Sequence, residues 1–555
     1  MKRNWRHWSR YIAHRKEKIL FLPILILATL NLYIYYSGCR SVFLFSDPLS
    51  VERFRHGYIN VLPEYMISNE SFNGEHDPPR LLSSDITLTV HYFWCERKYF
   101  SFENYLSVLS SYRFLKPTRI IFHYHHLPEL DSFGYYQFYA EMTKTIPILS
   151  HEPIQSCGTG FNKMALILYT LDQRGGIYIG EKTILSNDLI AYRKKTISHF
   201  LRSDAEGVVL LKKGSLGVSS KPSSDDIKDI LSSFISDIKC SNIELYSVSR
   251  YDCLFIDKEI FPTDIFTTSS DVGQLARWIY FGHKNPREPL THGEQSPLIV
   301  HYVWLGDRTL SFFDYLSLLS TVYVLKAEHV YIHGDIKPSG SHWKKAEQIP
   351  NVHFIFRKFP ASVFGNKIEA FASHASDVLR GDLLVRYGGI YMDWDVLWVN
   401  TIPDTLRQHG LVVSVDTVAT GSFPDVFNMG VLIGQKGSRF MQFFLESYRH
   451  YLDKHWSYNA IHIPYKIYEL HPELVRIEPH LQVICAEGKC HPSWMPGFKE
   501  RSHLDGLEFN WKNETLSLHW TYPDPTEFSN MDALLSSKSM FGDIGKFVLR
   551  RAGYV

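Results

Sequence analysis

Two aspartates one residue apart, Asp393 and Asp395, follow a Gly-Gly pair in the stretch GGIYMDWDVLWV, residues 388–399. Two hard carboxylate oxygens on one side of a chain can hold a divalent cation such as Mn²⁺ or Mg²⁺. Two ligands leave coordination positions open. A diphosphate can fill them, and the metal then neutralises charge on a departing phosphate. Upstream, Asp377 and Arg380 are three residues apart, so a helix would project both from one face. The chain nearly repeats itself. The stretch GGIYIGEKTIL, residues 175–185, keeps GGIY but has Gly180 and Lys182 where the acids stand. Aligned back from the Gly-Gly, Met164 replaces Asp377 and Ile167 replaces Arg380. Four polar groups change together while the apolar framework stays, and Lys182 puts a cation where a metal's charge would sit.

The elements that must position these groups can be read from periodicity. EAFASHASDVLRGDLLVRYGG reads as a helix, with Leu379 and Leu383 four apart and Gly388 where a C-terminal glycine belongs. GIYMDWDVLWV reads as a strand whose alternation puts Tyr391, Asp393 and Asp395 on one side, Met392 and Trp394 on the other. The repeat reaches further. LTVHYFW (88–94) returns as LIVHYVW (298–304), and SFENYLSVLSS (101–111) returns as SFFDYLSLLST (311–321), both 210 residues on. The Gly-Gly blocks are 213 apart. Such a period is that of a duplicated domain. Each copy opens with an apolar strand, then a helix (Leu316, Leu319 and Tyr323 at helical spacing), then a β-branched strand. That rhythm predicts α/β domains built on largely parallel sheets.

The stretch ASHASDVLRGDLLVRYGGIYMDWDVLWV resembles the sugar-binding region of the DXD glycosyltransferases. That group includes animal α1,4-galactosyltransferases and α1,4-N-acetylglucosaminyltransferases and the fungal initiating α1,6-mannosyltransferase. The resemblance covers most of residues 298–435. It implies two tandem GT-A-like domains with Rossmann-like mixed sheets, the first degenerate. It also implies a nucleotide-sugar donor (UDP-sugar favoured), a divalent metal, and transfer with retention to a glycan, glycolipid or glycoprotein. By the same resemblance, Asp395 is the direct metal ligand and Asp393 bridges ribose and metal. Asp377 and Arg380 hold the donor sugar, Tyr391 lies beside the nucleotide, and Trp304 stacks on the base. His519, in LSLHW, supplies a late ligand, and Asn428 in FNMGVLIG lies near the acceptor. The rival reading is a catalytically inactive lumenal glycan-binding or scaffold protein. Against it, the second copy keeps every motif position the first has lost.

The rest of the chain sets the context. Residues 1–18 carry seven basic side chains and one acid, and residues 19–36, ILFLPILILATLNLYIYY, carry no charge. This predicts a cytosolic tail, a short transmembrane anchor at 19–36 and a lumenal body, as in a type II protein of the Golgi or endoplasmic reticulum membrane, with a cleaved signal peptide as the rival reading of 19–36. Residues 37–85 read as a stem, 86–281 as the degenerate domain, 282–297 as a linker and 298–555 as the catalytic domain. Asn69 and Asn513 head N-glycosylation sequons. Of seven cysteines, Cys240 and Cys253, and Cys485 and Cys490, are spaced to bridge in an oxidising lumen, with buried free thiols the alternative for each pair. A net charge of +1 gives nucleic acid no electrostatic footprint.

Overall fold

The computed structural model describes residues 88–555 except 132–134, 219, 224–225, 227–228, 231–235, 244–247, 370–371, 416–425, 487–488, 491–510 and 521–523. The apolar segment 19–36, the stem and Asn69 lie outside these residues. Among the described residues, no helix is long and apolar enough to cross a membrane.

The first half runs β1 (Thr89–Trp94), α1 (Phe102–Leu115), β2 (Arg119–Tyr124), α2 (Phe138–Thr145), β3 (Leu149–Pro153), α3 (Phe161–Arg174) and β4 (Gly176–Ile179). It continues with β5 (Thr183–Leu185), β6 (Ile197–Leu201), β7 (Gly207–Leu211), β8 (Cys240–Asn242) and β9 (Cys253–Phe255). The second half repeats the plan: β10 (Ile299–Trp304), α4 (Phe312–Ser320), β11 (His329–Gly334) and β12 (Val352–Phe356). A small hairpin, β13 (Ser362–Val363) with β14 (Asn366–Lys367), precedes α5 (Ala372–Tyr387) and β15 (Gly389–Met392). Then come β16 (Val396–Trp398), β17 (Leu411–Val415), β18 (Phe427–Gly434), α6 (Ile463–Leu470), β19 (Arg476–Ile477), β20 (Gln482–Ala486), β21 (Lys489–Cys490) and β22 (Ser517–Trp520).

The two main sheets share a strand order. The first is β3-β2-β1-β4-β7-β6, and the second is β12-β11-β10-β15-β18-β17, with β19 added at its edge. In both, four strands are parallel and the fifth and sixth pair antiparallel. The order reverses between β1 and β4, and between β10 and β15. Such a switch point opens a crevice beyond the carboxyl ends of the strands. A smaller sheet sits beside each large one, β5-β9-β8 in the first half and β16-β22-β20-β21 in the second.

The Gly-Gly pair is structural in both halves. Gly388 (φ +68°) ends α5, its N–H reaching the Leu384 carbonyl at 3.0 Å, and Gly389 has φ +100°. A Cβ on Gly389 would lie 2.7 Å from the Ile299 carbonyl oxygen, and one on Gly176 would lie 2.5 Å from that of Thr89. A buried histidine fixes each turn. His301 Nε2 bonds the Gly388 carbonyl at 3.0 Å, and its Nδ1 lies 3.0 Å from His333 Nε2. His91 repeats this with Gly175 and His123 at 3.1 and 3.0 Å. A carbonyl only accepts, so Nε2 of each inner ring carries the proton and Nδ1 accepts from the second ring. Burial holds His301 down to about 4 and His333 to about 3.

Two expectations need correction. The strand GIYMDWDVLWV breaks at the acids: β15 ends at Met392, and Asp393–Asp395 form a turn before β16 joins the smaller sheet. Tyr323 is 37% exposed, because α4 gives way to a π-turn at Thr321–Leu325 that rotates it off the core face of Leu316 and Leu319. Residues 282–297, read as the linker, run against the second half. Leu290, His292 and Ser296 donate to the carbonyls of Glu473, Gln408 and Arg407 at 2.7–2.8 Å. Cys240 and Cys253 form a disulfide between β8 and β9, and sequence spacing missed a second, Cys95–Cys157, 62 residues apart with Cα atoms 5.2 Å apart. Cys485 and Cys490 stand opposite each other in the β20–β21 ladder.

Candidate active site

The acids sit at the switch point of the second sheet. β15 delivers Asp393 past its carboxyl end, where the Asp393 N–H bonds the Gly430 carbonyl of β18 at 2.8 Å. Leaving the sheet there turns Asp393 and Asp395 towards one opening, and their side chains stay 31% and 32% exposed. β22 then pairs with β16 in a register that sets His519 opposite Val396, and the Trp520 N–H bonds the Asp395 carbonyl at 3.0 Å. The result is a three-residue cluster: ligand atoms of Asp393, Asp395 and His519 lie within 4.8 Å of one another. His519 Nε2 is 3.2 Å from Asp395 Oδ1. The imidazole is buried, and Gly430 makes room for it: a Cβ there would meet His519 Nδ1 at 2.8 Å. Two carboxylates and one imidazole form a donor set suited to a borderline or hard divalent cation.

Behind the acids lies a buried polar layer from α5. Arg380 pairs with Asp377 at 2.8 Å, donates to the Met429 carbonyl at 2.6 Å and sits 3.7 Å from Asp393. Its guanidinium lies over the Tyr391 ring at 4.5 Å. Burial works against the Arg380 charge, but Tyr391, Asp393 and Asp377 outweigh it and hold the group firmly protonated. The Tyr391 hydroxyl donates to Asp393 Oδ1 at 2.5 Å and lies 3.0 Å from the Ser376 hydroxyl. Confinement pushes the Asp393 carboxyl above its usual range; Arg380 opposes this and Asp395 adds to it. Arg380 Nε is buried with no partner among the described residues.

Trp304 does not stand where a base could stack on it. It is 0% exposed, edge-on to Trp394 at 5.2 Å, and the Arg308 guanidinium lies over it at 4.1 Å. The first half has the same arrangement, with Lys98 over the buried Trp94 at 4.9 Å. A buried indole capped by a cation in both halves is a core feature. Asn428 is buried, and its side-chain oxygen accepts from the Gly430 N–H at 2.8 Å, so it braces the floor of the site. Gln482, which spacing gave no reason to single out, holds His519 Nδ1 at 3.0 Å.

The equivalent place in the first half is filled from within. Lys163 and Lys98 pair with the buried Glu181 at 2.6 and 2.7 Å. Glu206 accepts from the Lys182 N–H and the Thr183 hydroxyl at 3.0 and 2.8 Å. A side chain at Gly180, the counterpart of Asp393, would run into the Glu206 carboxylate and lie 2.7 Å from the Thr183 hydroxyl. By strand register the counterpart of His519 is Phe255, buried at 3% exposure. None of Asp377, Arg380, Asp393, Asp395 and His519 has a like side chain at its counterpart position there.

Residues 320–412, which include both acids and α5, match the family model described as the glycosyltransferase sugar-binding region containing a DXD motif. Glucan organizing enzyme 1 of Cryptococcus neoformans var. grubii is 28% identical to this chain over 204 residues, 35% of this chain and 55% of that protein. The chain thus spans little more than half the length of the curated relative it matches. Among solved structures, the bifunctional glycosyltransferase WbbM aligns over 63% of this chain and 68% of its own at 12% identity and a TM-score of 0.29. The galactosyltransferase LgtC aligns over 46% and 96% at 13% identity and a TM-score of 0.25.

Proposed function

We propose that this chain is a metal-dependent, retaining glycosyltransferase that moves a hexose or N-acetylhexosamine from a nucleotide sugar, a UDP-sugar by preference, to a glycan, glycolipid or glycoprotein. The cluster of Asp393, Asp395 and His519 at the switch point of the DXD region carries the reading. Those three residues would hold Mn²⁺ or Mg²⁺, which when bound supplies positive charge for the departing diphosphate. The chain's own groups do the rest. Asp377 and Arg380 bind and orient the donor sugar's hydroxyls. Tyr391 fixes one oxygen of Asp393 and leaves the other for ligand. The buried layer behind them keeps water from the reacting face, where each of these contacts is stronger than in bulk water.

The first half is read as a duplicated domain that no longer binds donor, its pocket occupied by the Lys163–Glu181–Lys98 bridge. The setting is read as the lumen of the Golgi or endoplasmic reticulum, with residues 19–36 as a type II anchor. Two cystine bridges suit an oxidising compartment, and Asn513 is exposed as a glycan acceptor must be. A panel of UDP- and GDP-sugars incubated with the full chain, with and without Mn²⁺, tests the activity. Metal-dependent release of nucleotide from one UDP-sugar is expected. No release from any donor, with or without metal, would reduce the chain to a binding protein. Enzymatic deglycosylation should lower its mass, and an unchanged mass would count against the lumenal setting.

A further inference from the structure

We infer that Gln482 is the positioning residue that sets which nitrogen of His519 turns towards the metal, an inference that rests on the metal site proposed above. Gln482 is the first residue of β20, buried at 2% exposure. Its amide faces two partners. One is the Asn428 main-chain carbonyl, 3.1 Å from the amide nitrogen; the other is His519 Nδ1, 3.0 Å from the amide oxygen. A main-chain carbonyl can only accept, so the NH₂ end of Gln482 must point at Asn428. The oxygen end then has to face the imidazole, and an amide oxygen can only accept. His519 Nδ1 therefore carries a proton, and Nε2 is the nitrogen whose lone pair a metal would take. Nε2 is the atom 3.2 Å from Asp395, inside the cluster. The opposite tautomer would put a proton in the cluster and leave two acceptors facing each other at Nδ1.

The first half supplies an internal comparison. Register through the small sheets sets Cys240 at the place of Gln482 and Phe255 at the place of His519. Where the imidazole is gone, the amide that would orient it is gone too, and a cystine occupies its place.

The test reads Mn²⁺ binding to the purified full chain by electron paramagnetic resonance, independent of turnover. Q482L, which cannot accept from Nδ1, should weaken Mn²⁺ binding about 10- to 100-fold, the usual cost of losing an outer partner of a metal-binding histidine. Q482E, whose carboxylate also accepts from Nδ1–H, should bind Mn²⁺ within a few-fold of wild type. In an H519A background, Q482L should cost nothing more, because the effect runs through the ring. If Q482L fails to fold, Q482E and the H519A pair still decide the matter: Q482E binding as weakly as H519A would overturn the inference. Q482L binding as tightly as wild type would overturn it as well. A wild type that binds no Mn²⁺ would instead remove the metal reading beneath it.

Discussion

At the residue scale, the two acids of the motif are held differently. Asp393 is tied down by Tyr391 and lies 3.7 Å from Arg380. Asp395 instead pairs with His519 at 3.2 Å, and its side chain is a third exposed. We expect Asp395→Asn to cut donor hydrolysis by more than about 100-fold, above the loss typical of an outer-shell partner. Its melting temperature should not fall, because a third-exposed carboxylate facing solvent contributes little to folding. Lys182→Ala in the first half should leave hydrolysis near wild type. Hydrolysis assays with melting curves on both variants check this, and the reverse ranking would move the metal site to the first half. The pairing of Asp377 with Arg380 and the clustering of the acids were legible in the sequence, because each depends on local spacing. The burial of Trp304 was not. An opening-strand tryptophan looks the same in sequence whether its face is bare or capped, and only the fold shows Arg308 lying across it.

At the element scale, the helix, the Gly-Gly turn and the repeated strand order could be read from periodicity and repeats. The break at Asp393–Asp395 could not. Alternation continues through a turn that hands the chain from one sheet to another, and only the pairing of β16 with β22 reveals the change. The Cys95–Cys157 bridge and the orienting role of Gln482 join residues far apart in sequence, so no local pattern announces them. The histidine braces carry a prediction. His301 and His333 are buried and neutral, at about 4 and about 3, below the 6.5 of a free imidazole. The unfolded chain takes up protons that the folded one refuses as pH falls below about 6.5. Folding stability is therefore intact above that value and drains between about 6.5 and 4, each ring costing at most about 1.4 kcal/mol for every pH unit crossed. His91 and His123 add to the same window. Denaturant midpoints measured from pH 7.5 to 4.5 should decline, and the decline should be shallower for the His333→Phe variant, which removes one proton-binding ring. Equal slopes for the two proteins would show that the braces do not govern the acid limit.

At the scale of the whole molecule, the two halves meet through α6. The Lys466 ammonium is buried between Glu469 of its own helix, at 2.9 Å, and Glu141 of α2, at 4.0 Å, and it lies over the rings of Tyr135 and Phe138 at 4.5 and 4.3 Å. The Tyr135 hydroxyl donates to Glu469 at 2.8 Å, and Phe266 of the first half packs edge-on to Tyr468 at 5.4 Å. Tyr468 in turn lies 5.3 Å from Phe427, the neighbour of Asn428 on the floor of the site. The first half is therefore mechanically continuous with the active half, and removing it would strip the cover from a buried charge cluster. Lys466→Met keeps most of the side chain's volume but leaves two buried carboxylates without their cation. Burial already raises both Glu141 and Glu469, with Lys466 holding them back. Without it their folded-state pKa values rise further. The unfolded carboxyls ionise above about 4.3, so the variant loses stability as pH climbs from there through the raised folded values. We expect a loss of about 3–5 kcal/mol at pH 7.5, the range for breaking a buried pair by removing one partner. The loss should shrink towards pH 5, and donor hydrolysis should fall in step with unfolding. Melting curves of wild type and variant at both pH values decide this. A penalty that does not depend on pH would mean that Lys466 acts through packing alone and that the charge cluster does not hold the halves together.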